Sequence, residues 1–261
     1  MRTSRLLRAA LPAAALLAVS GAAGCAVQVP PPKAAAIAPA DPDRAWAAVL
    51  SRFVDGEGRI DFAGVAKDPA DLETYVEYLS RVSPGSDPGR FPTRELQMAY
   101  LINAYNALAM FNAIRSGMPP DLHAVRVRFF YRDHFLLGGG YISLYDLENK
   151  VIRPLGDPRI HAALNCMAKG CPRLPREPFR AEILDAELQA TTQYFFGEER
   201  NVRLDPEKKT VRFNQILEFY RDDFLKKAPS LIAFANKYRI QPIPEDWKVE
   251  FLPYDWRLNS Q

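Results

Sequence analysis

The chain has 261 residues, of which 48% are hydrophobic and 25% charged, a composition that is typical of a globular protein rather than a disordered one. Its formal net charge of +3 equals the contribution of Arg2, Arg5 and Arg8, which lie in a segment that we expect to be removed. The remaining chain is then formally neutral. This balance disfavours nucleic acid as a partner and gives no overall field for a strongly charged one.

Residues 1–24 have the features of a secretory signal peptide: a basic start, an apolar stretch at 9–19, and small residues before Cys25. The apolar stretch is shorter than the roughly 20 residues that a membrane-spanning helix needs. Residues 22–25 read Ala-Ala-Gly-Cys and resemble the lipobox of bacterial lipoproteins, in which the chain is cut before the cysteine and its sulfur carries a diacylglycerol. The alternative is a conventional signal-peptidase site beside an ordinary Cys25.

A lipid on Cys25 would make a membrane the first partner of this protein, because two or more acyl chains hold a protein firmly at a bilayer. Ala26 rather than Asp follows the cysteine, which in a Gram-negative cell favours the outer membrane, with the domain facing the periplasm. Residues 26–43 are rich in Pro and Ala and are expected to form an extended spacer. Residues 44–261 are expected to form one globular domain without internal repeats.

The hydrophobic periodicity predicts a helix-rich α+β domain with a small, mainly antiparallel sheet. Thr93 is expected to cap a long helix that runs to about Ile114, and Ser143 to open a helix that Pro154 stops. The other predicted helices are 44–53, 71–82, 181–196, 215–225 and 230–238. The predicted strands are 125–129, 141–142, a hairpin of 202–204 with 211–213, and 247–251.

Two asparagines interrupt the apolar stripe of the long predicted helix. Asn103 lies in the middle of this stripe, and Asn106 follows close to one turn later. A buried amide is costly unless its donors and acceptor are satisfied. These side chains could hold the backbone of a neighbouring loop or form a polar wall of a pocket, and the first role is favoured because most buried amides bond backbone groups.

Residues 156–172 combine one histidine and two cysteines and allow three interpretations. In the first, Cys166 and Cys171 form a disulfide, since two cysteines remain in an oxidising compartment once Cys25 carries lipid. Gly170 and Pro172 imply the turn that such a bridge requires.

In the second interpretation, Cys166 is a catalytic nucleophile and His161 its base. Nearby Lys169, Arg159 and Arg173 would favour a thiolate. Five residues separate His161 from Cys166, a spacing that does not itself indicate a pair, and His123 and His134 are alternative bases.

In the third interpretation, His161, Cys166 and Cys171 bind a metal, but their spacing matches no common zinc pattern. We therefore expect neither a metal nor a cofactor. The disulfide is the interpretation that the residues alone favour.

Several segments together resemble the bacterial branch of the family called domain of unknown function 547. They are residues 100–108, 143–153, 157–172, 213–224 and 254–259, in the family's order and spread over nearly all of 44–261. The resemblance implies a secreted or lipid-anchored domain without an agreed activity. It also implies that the following are signature positions: Asn103, Tyr105, Asn106, Glu148, Arg153, Cys166 and Pro172.

The resemblance favours Cys166 over Cys171 as a functional thiol, because relatives keep the first position more often than the second. This chain also departs from the family pattern at one position. The family usually has His directly after the residue that matches Glu148, whereas this chain has Asn149 there. An amide cannot act as a general base.

Two hypotheses therefore remain open. In the first, the domain binds an envelope protein, a peptide or a small ligand in a polar pocket, with Asn103, Tyr105, Asn106, Glu148 and Asn149 as its candidate residues. In the second, it is a hydrolase or acyl-transfer enzyme that uses Cys166 with His161. The binding role is favoured because no spacing typical of a Cys–His–Asx triad is present.

Overall fold

The computed structural model describes residues 25–32 and 41–261. The predicted signal peptide at 1–24 and the part of the spacer at 33–40 lie outside the described residues. The helices, in chain order, are α1 (Pro42–Phe53), α2 (Phe62–Lys67), α3 (Ala70–Arg81), α4 (Arg94–Arg115), α5 (Leu122–Arg126), α6 (Leu144–Asp146), α7 (Leu184–Gly197), α8 (Ile216–Phe219), α9 (Arg221–Leu225) and α10 (Leu231–Asn236). The strands are β1 (Val27–Val29), β2 (Asp133–Leu137), β3 (Gly140–Ser143), β4 (Val202–Asp205), β5 (Thr210–Asn214) and β6 (Lys248–Leu252).

Helix α4 is the centre of the larger of two hydrophobic cores. The Thr93 side chain accepts a hydrogen bond from the backbone N–H of Leu96 at 3.2 Å, so the predicted cap is confirmed. From Met98 to Met110 every residue of α4 is buried, because α2, α3, α6 and short helical segments pack around it. The second core is formed by α7–α10 with β4–β6.

The helix-rich α+β class is confirmed, but the strands form two small mixed sheets rather than one mainly antiparallel sheet. In the first sheet, β2 pairs with β3 in antiparallel and with β1 in parallel orientation. In the second sheet, the predicted hairpin of β4 and β5 is present, and β6 joins β5 in parallel orientation.

The prediction of a strand at 125–129 is wrong. Asp121 caps α5 by accepting a hydrogen bond from the backbone N–H of His123 at 2.8 Å, and the helix continues in π-helical geometry over Val127–Arg132. Leu122 and Phe129 are buried on one side of this helical segment. Their spacing of seven residues is two turns of helix, and it prevails over the local alternation of apolar residues with arginine.

Two further local predictions differ in detail. Ser143 caps α6 as expected, with its hydroxyl accepting from the N–H of Asp146 at 3.1 Å. The helical path then continues past Pro154 in a short 3₁₀ turn and ends at Gly156, whose φ is +76°. In the predicted spacer, Val27–Val29 is extended as expected, but it is paired with the domain as β1. Within the described residues, no helix is long and apolar enough to cross a membrane.

Candidate functional site

A cleft of about 460 Å³ lies where the two cores meet. Eight of its seventeen lining residues are Phe, Tyr or Trp, and the others include a few charged and polar groups and both cysteines of the domain. The lining consists of Tyr105, Arg126, Phe130, Tyr131, Tyr145, Glu148, Asn149, Arg153, His161, Leu164, Cys166, Cys171, Ile216, Phe219, Tyr220, Tyr254 and Trp256. A concave, largely apolar site with a few polar groups is the usual form of a small-ligand site.

The two cysteines share one tyrosine. The hydroxyl of Tyr254 lies 3.1 Å from Sγ of Cys171 and 3.3 Å from Sγ of Cys166. The backbone N–H of Cys166 also donates to Sγ of Cys171 at 3.0 Å. Both cysteines are free thiols in this structure. The disulfide that the sequence favours is not present in this structure, in which both sulfurs contact the same hydroxyl, and it stays a prediction.

Their surroundings shift the pKa values of the two thiols in opposite directions. Burial of Cys171 opposes its ionisation, but hydrogen bonds from the Cys166 thiol, from Tyr254 and from backbone N–H groups outweigh it and lower the pKa of Cys171. The pKa of Cys166 is raised well above its ordinary value by its hydrogen bond to Cys171, by burial and by repulsion from the Cys171 thiolate. The favoured site of negative charge is therefore Cys171, although Cys166 was the predicted nucleophile.

The segment that carries the cysteines is held by buried amides. The Asn106 amide donates to the carbonyl of Ala163 at 3.1 Å and accepts from the N–H of Asn165 at 2.7 Å. The Asn165 side chain in turn donates to the carbonyl of Pro172 and accepts from the N–H of Met167, both at 2.7 Å. Met167 has a φ of +74°, a left-handed conformation that non-glycine residues rarely adopt. These contacts fix the turn that brings the cysteines together.

Residues 254–259 run beside this turn and complete the cleft. The N–H groups of Lys169 and Gly170 donate to carbonyls of this segment at 2.8 Å, and the N–H of Asn259 donates to the carbonyl of Met167 at 2.9 Å. A side chain at Gly170 would lie 2.8 Å from the ring of Tyr254, so only glycine lets that ring approach the turn. The Tyr254 ring packs against Trp256 with centroids 4.6 Å apart.

A cluster of charged and polar groups lines the other side of the cleft. Nε2 of His161 lies 3.0 Å from Oδ2 of Asp223, and its Nδ1 lies 3.9 Å from Oε1 of Glu148. The ring stacks on Tyr220 with centroids 3.9 Å apart. Asp223 also accepts from Nε of Arg153 at 2.7 Å. Hydrogen bonds from His161 and Arg153 hold the pKa of Asp223 well below its ordinary range, even though burial opposes this shift.

Glu148 and Tyr220 face each other within this cluster. Burial raises the pKa of Tyr220, and the Glu148 carboxylate, by its charge and its hydrogen bond, raises it further. Asn149 follows Glu148 along the chain. Its carbonyl oxygen accepts from Nη1 of Arg153 at 2.6 Å and its amide donates to the carbonyl of Tyr145 at 2.9 Å. Asn149 thus orients Arg153 at the edge of the cleft.

The proposed dyad of Cys166 and His161 is not formed in this structure. Both residues line the cleft, but the two ring nitrogens of His161 face Asp223 and Glu148, and no hydrogen bond joins the ring to either sulfur among the described residues. His123 is exposed beside Trp256, and His134 lies in β2 with Nδ1 2.8 Å from the carbonyl of Arg132. Neither is placed as a base for Cys166.

Of the five predicted pocket residues, the structure places Tyr105, Glu148 and Asn149 in the cleft. Asn103 instead clamps the backbone of Phe179, donating to its carbonyl at 2.8 Å and accepting from its N–H at 3.0 Å. Asn106 does the same for the cysteine segment. Both amides therefore take the backbone-holding role, and Asn103 borders a separate cavity beside α1 and α3.

The sequence did not single out four residues of the site, namely Tyr220, Asp223, Tyr254 and Trp256. All four fall in segments that carried the family resemblance, but no local spacing relates them to the cysteines. Across the residues that the structure describes, no cluster of three or more His, Cys, Asp or Glu side chains has a geometry that could hold a metal ion.

The fold and the cleft define a helix-rich α+β domain with a thiol pair and a histidine–carboxylate cluster facing a common aromatic cleft. Residues 90–196 match the model of a family described as "Protein of unknown function, DUF547". The match is less than half of the chain; it includes Tyr105, Glu148 and Cys166 but not Tyr254. Searches of curated proteins and of solved structures give no significant match.

Proposed function

We propose that this protein is a lipoprotein of the bacterial cell envelope whose domain binds a small organic ligand or a short peptide in the cleft. The signal-like start and the lipobox-like residues before Cys25 support the anchor, and Ala26 supports the outer membrane, facing the periplasm. Cys25 is exposed, so its sulfur is accessible for modification.

The observation that carries the binding role is that the histidine of the cleft is hydrogen-bonded to Asp223 rather than to a cysteine. A cysteine nucleophile needs a base that accepts its proton or a pKa lowered by its surroundings. His161 faces Asp223 and Glu148, and the pKa of Cys166 is raised. Cys166, the cysteine exposed to the cleft, has neither form of activation, so the cleft is better suited to hold a molecule than to attack it.

The lining favours a ligand with flat apolar parts and a polar group. Tyr145, Phe219, Tyr220 and Trp256 offer aromatic surface, and aromatic side chains bind such groups by stacking and by burying apolar area. Arg153 offers a guanidinium beside them. A cleft of about 460 Å³ accommodates a small molecule or a few residues of a peptide.

A cysteine-dependent hydrolase or acyl-transfer enzyme is the second candidate. It is favoured by the position of Cys166, which is partly exposed to the cleft while Cys171 is buried beside it. In that case the Cys171 thiolate, rather than His161, would be the group that accepts the proton of Cys166, because the two thiols are hydrogen-bonded.

Thiol counting and ligand titration test these two roles together. The chain from residue 25, with Cys25→Ser, would be titrated for free thiols with and without denaturant and reductant. Muropeptides would then be added to a Trp247→Phe form of this chain, so that fluorescence reports mainly on Trp256, and mass spectrometry would report products. Saturable binding without turnover supports the binding role, and it should be lost in Phe219→Ala, which removes a half-exposed ring of the cleft. Turnover that disappears in Cys166→Ala would replace it by the enzyme, and a native disulfide would exclude Cys166 as a resting nucleophile.

The anchor is tested separately in a bacterial host that expresses the whole chain. We expect the N-terminal peptide of the mature protein to begin at Cys25 and to carry the mass of a diacylglycerol. A Cys25→Ala chain should lose this mass and leave the membrane fraction. An unmodified Cys25 in the mature protein would contradict the proposal.

A further inference from the structure

The first described residues return to the domain and fix where an anchor at Cys25 would lie. Strand β1 pairs in parallel with β2, with Val27 opposite Asp133 and Val29 opposite Phe135. Val29 is buried in the larger core, so this pairing is backed by apolar packing. Cys25 precedes Val27 by two residues, which places it beside the end of the helical segment at Val127–Arg132.

That helical segment presents basic and aromatic side chains outward. Between Leu122 and Arg132 the sequence contains three arginines and no acidic residue. Arg126 and Arg132 are exposed, and among the described residues neither pairs with a carboxylate, whereas Arg128 lies 3.4 Å from the buried Asp133.

Apolar and aromatic groups lie among these arginines. Val127 and Tyr131 are 50% and 51% exposed, and their spacing of four residues puts them on one side of the helical segment. The Tyr131 ring stacks on the half-exposed Tyr145 with centroids 4.5 Å apart, and Tyr141 of β3 is also exposed. Tyrosine and arginine side by side are typical of surfaces that lie at lipid headgroups, where the ring is amphipathic and the guanidinium meets phosphate.

We propose that this face, formed by Arg126, Val127, Tyr131, Arg132 and Tyr145, is the membrane-contact face of the domain and that it docks on a bilayer with anionic phospholipid headgroups. The proposal rests on the anchor at Cys25, and it makes the anchored domain lie against the bilayer rather than stand away from it on a spacer. The net charge of the chain does not indicate this face, because acidic residues elsewhere in the chain offset its arginines.

The face and the cleft share residues. Arg126, Tyr131 and Tyr145 belong to both, and Phe130 lines the cleft between them. A domain docked through this face therefore opens its cleft toward the headgroups. The ligand of the cleft would then be a molecule that resides in, or is attached to, the headgroup layer, which narrows the substrate class of the proposed function.

Vesicle flotation tests the docking without any lipid on the protein. The chain from residue 25, which contains both hydrophobic cores, would carry Cys25→Ser, and vesicles of phosphatidylcholine alone would be compared with vesicles containing phosphatidylglycerol. We expect binding only to the anionic vesicles and its loss at high salt. Because each arginine near an anionic surface contributes about fivefold to binding, Arg126→Gln with Arg132→Gln should weaken binding by roughly 25-fold.

Two matched variants keep this test specific. Arg126→Lys with Arg132→Lys preserves the charge and should bind like the parent, which separates a charge effect from misfolding. Arg44→Gln with Arg203→Gln removes two exposed arginines of α1 and β4, and it should also bind like the parent. Equal binding to both kinds of vesicle, or an equal loss in this second pair, would overturn the proposal.

A separate measurement tests whether the cleft faces the bilayer. Trp46 is buried, so in a Trp247→Phe chain an aqueous quencher such as acrylamide reports mainly on Trp256 in the cleft. Binding to phosphatidylglycerol vesicles should lower the quenching constant at least twofold. Unchanged quenching of the vesicle-bound protein would refute a cleft that faces the bilayer. Neither measurement depends on lipidation or on a ligand, so their failure is distinct from failure of the proposed function.

Discussion

Replacing Tyr254 with Phe removes the hydroxyl that lies 3.1 Å from Sγ of Cys171 and 3.3 Å from Sγ of Cys166, while the ring keeps its packing against Trp256 and Phe219. A hydrogen bond to a charged group contributes about 1.5–3 kcal/mol. One pKa unit corresponds to about 1.4 kcal/mol. We therefore expect Tyr254→Phe to raise the pKa of the first thiol ionisation by about one to two units.

The measurement is a pH titration of the ultraviolet absorbance of the thiolate in the chain from residue 25 with Cys25→Ser, kept reduced throughout. It needs no reagent to reach the buried Cys171. Tyr145→Phe is the matched control, because that tyrosine lines the same cleft but its hydroxyl bonds neither sulfur. An unchanged first pKa in Tyr254→Phe, or an equal rise in the control, would refute the assignment of Tyr254 as the donor that stabilises the thiolate.

Three further predictions concern stability, each measured by denaturant unfolding. Asn106→Leu leaves two buried backbone groups without partners and should cost about 3 kcal/mol. Asn236→Leu, which breaks the same two-bond clamp at a half-buried site, should cost about 1 kcal/mol, and equal losses would contradict the burial argument. Because the pKa of Asp223 is lowered in the folded state, its stabilisation is present above the ordinary value of 3.8 and declines as the pH falls below it. Asp223→Asn should therefore be less stable than the parent by about 2 kcal/mol near neutral pH, and the difference should shrink below pH 3.8; a constant difference would be inconsistent with this. Gly138→Ala should cost more than the roughly 1–2 kcal/mol expected for Gly139→Ala, since both glycines have positive φ but only at Gly138 would the new methyl meet another side chain.

Local chemistry explains which parts of the fold could be predicted. The caps at Thr93 and Ser143 and the hairpin of β4 and β5 depend on residues close in sequence, and all three are present. The failure at 125–129 has a tertiary cause. Alternating Val and Arg suit a strand locally, but burial of Phe129 against the larger core selects a helical path.

The site was less accessible to prediction because its partners are distant in sequence. A buried amide must find a partner, so the backbone-holding role of Asn103 and Asn106 could be anticipated although the loops they hold could not. Tyr254 lies 88 residues beyond Cys166, and Asp223 lies 62 residues beyond His161. No periodicity connects positions so far apart, so the shared hydroxyl and the engaged histidine become visible only in three dimensions.

The same separation gives the site an order of assembly during synthesis. A chain made from its N-terminus at about 5–20 residues per second needs roughly 4–18 seconds to add the 88 residues between Cys166 and Tyr254. During that interval the two thiols have been made, but neither the tyrosine that bonds them nor the segment at 254–259 that encloses them exists. Because export of the proposed lipoprotein would carry the chain from a reducing to an oxidising compartment, the redox state of the finished cleft depends on whether the segment with Tyr254 packs on the thiols before they are oxidised.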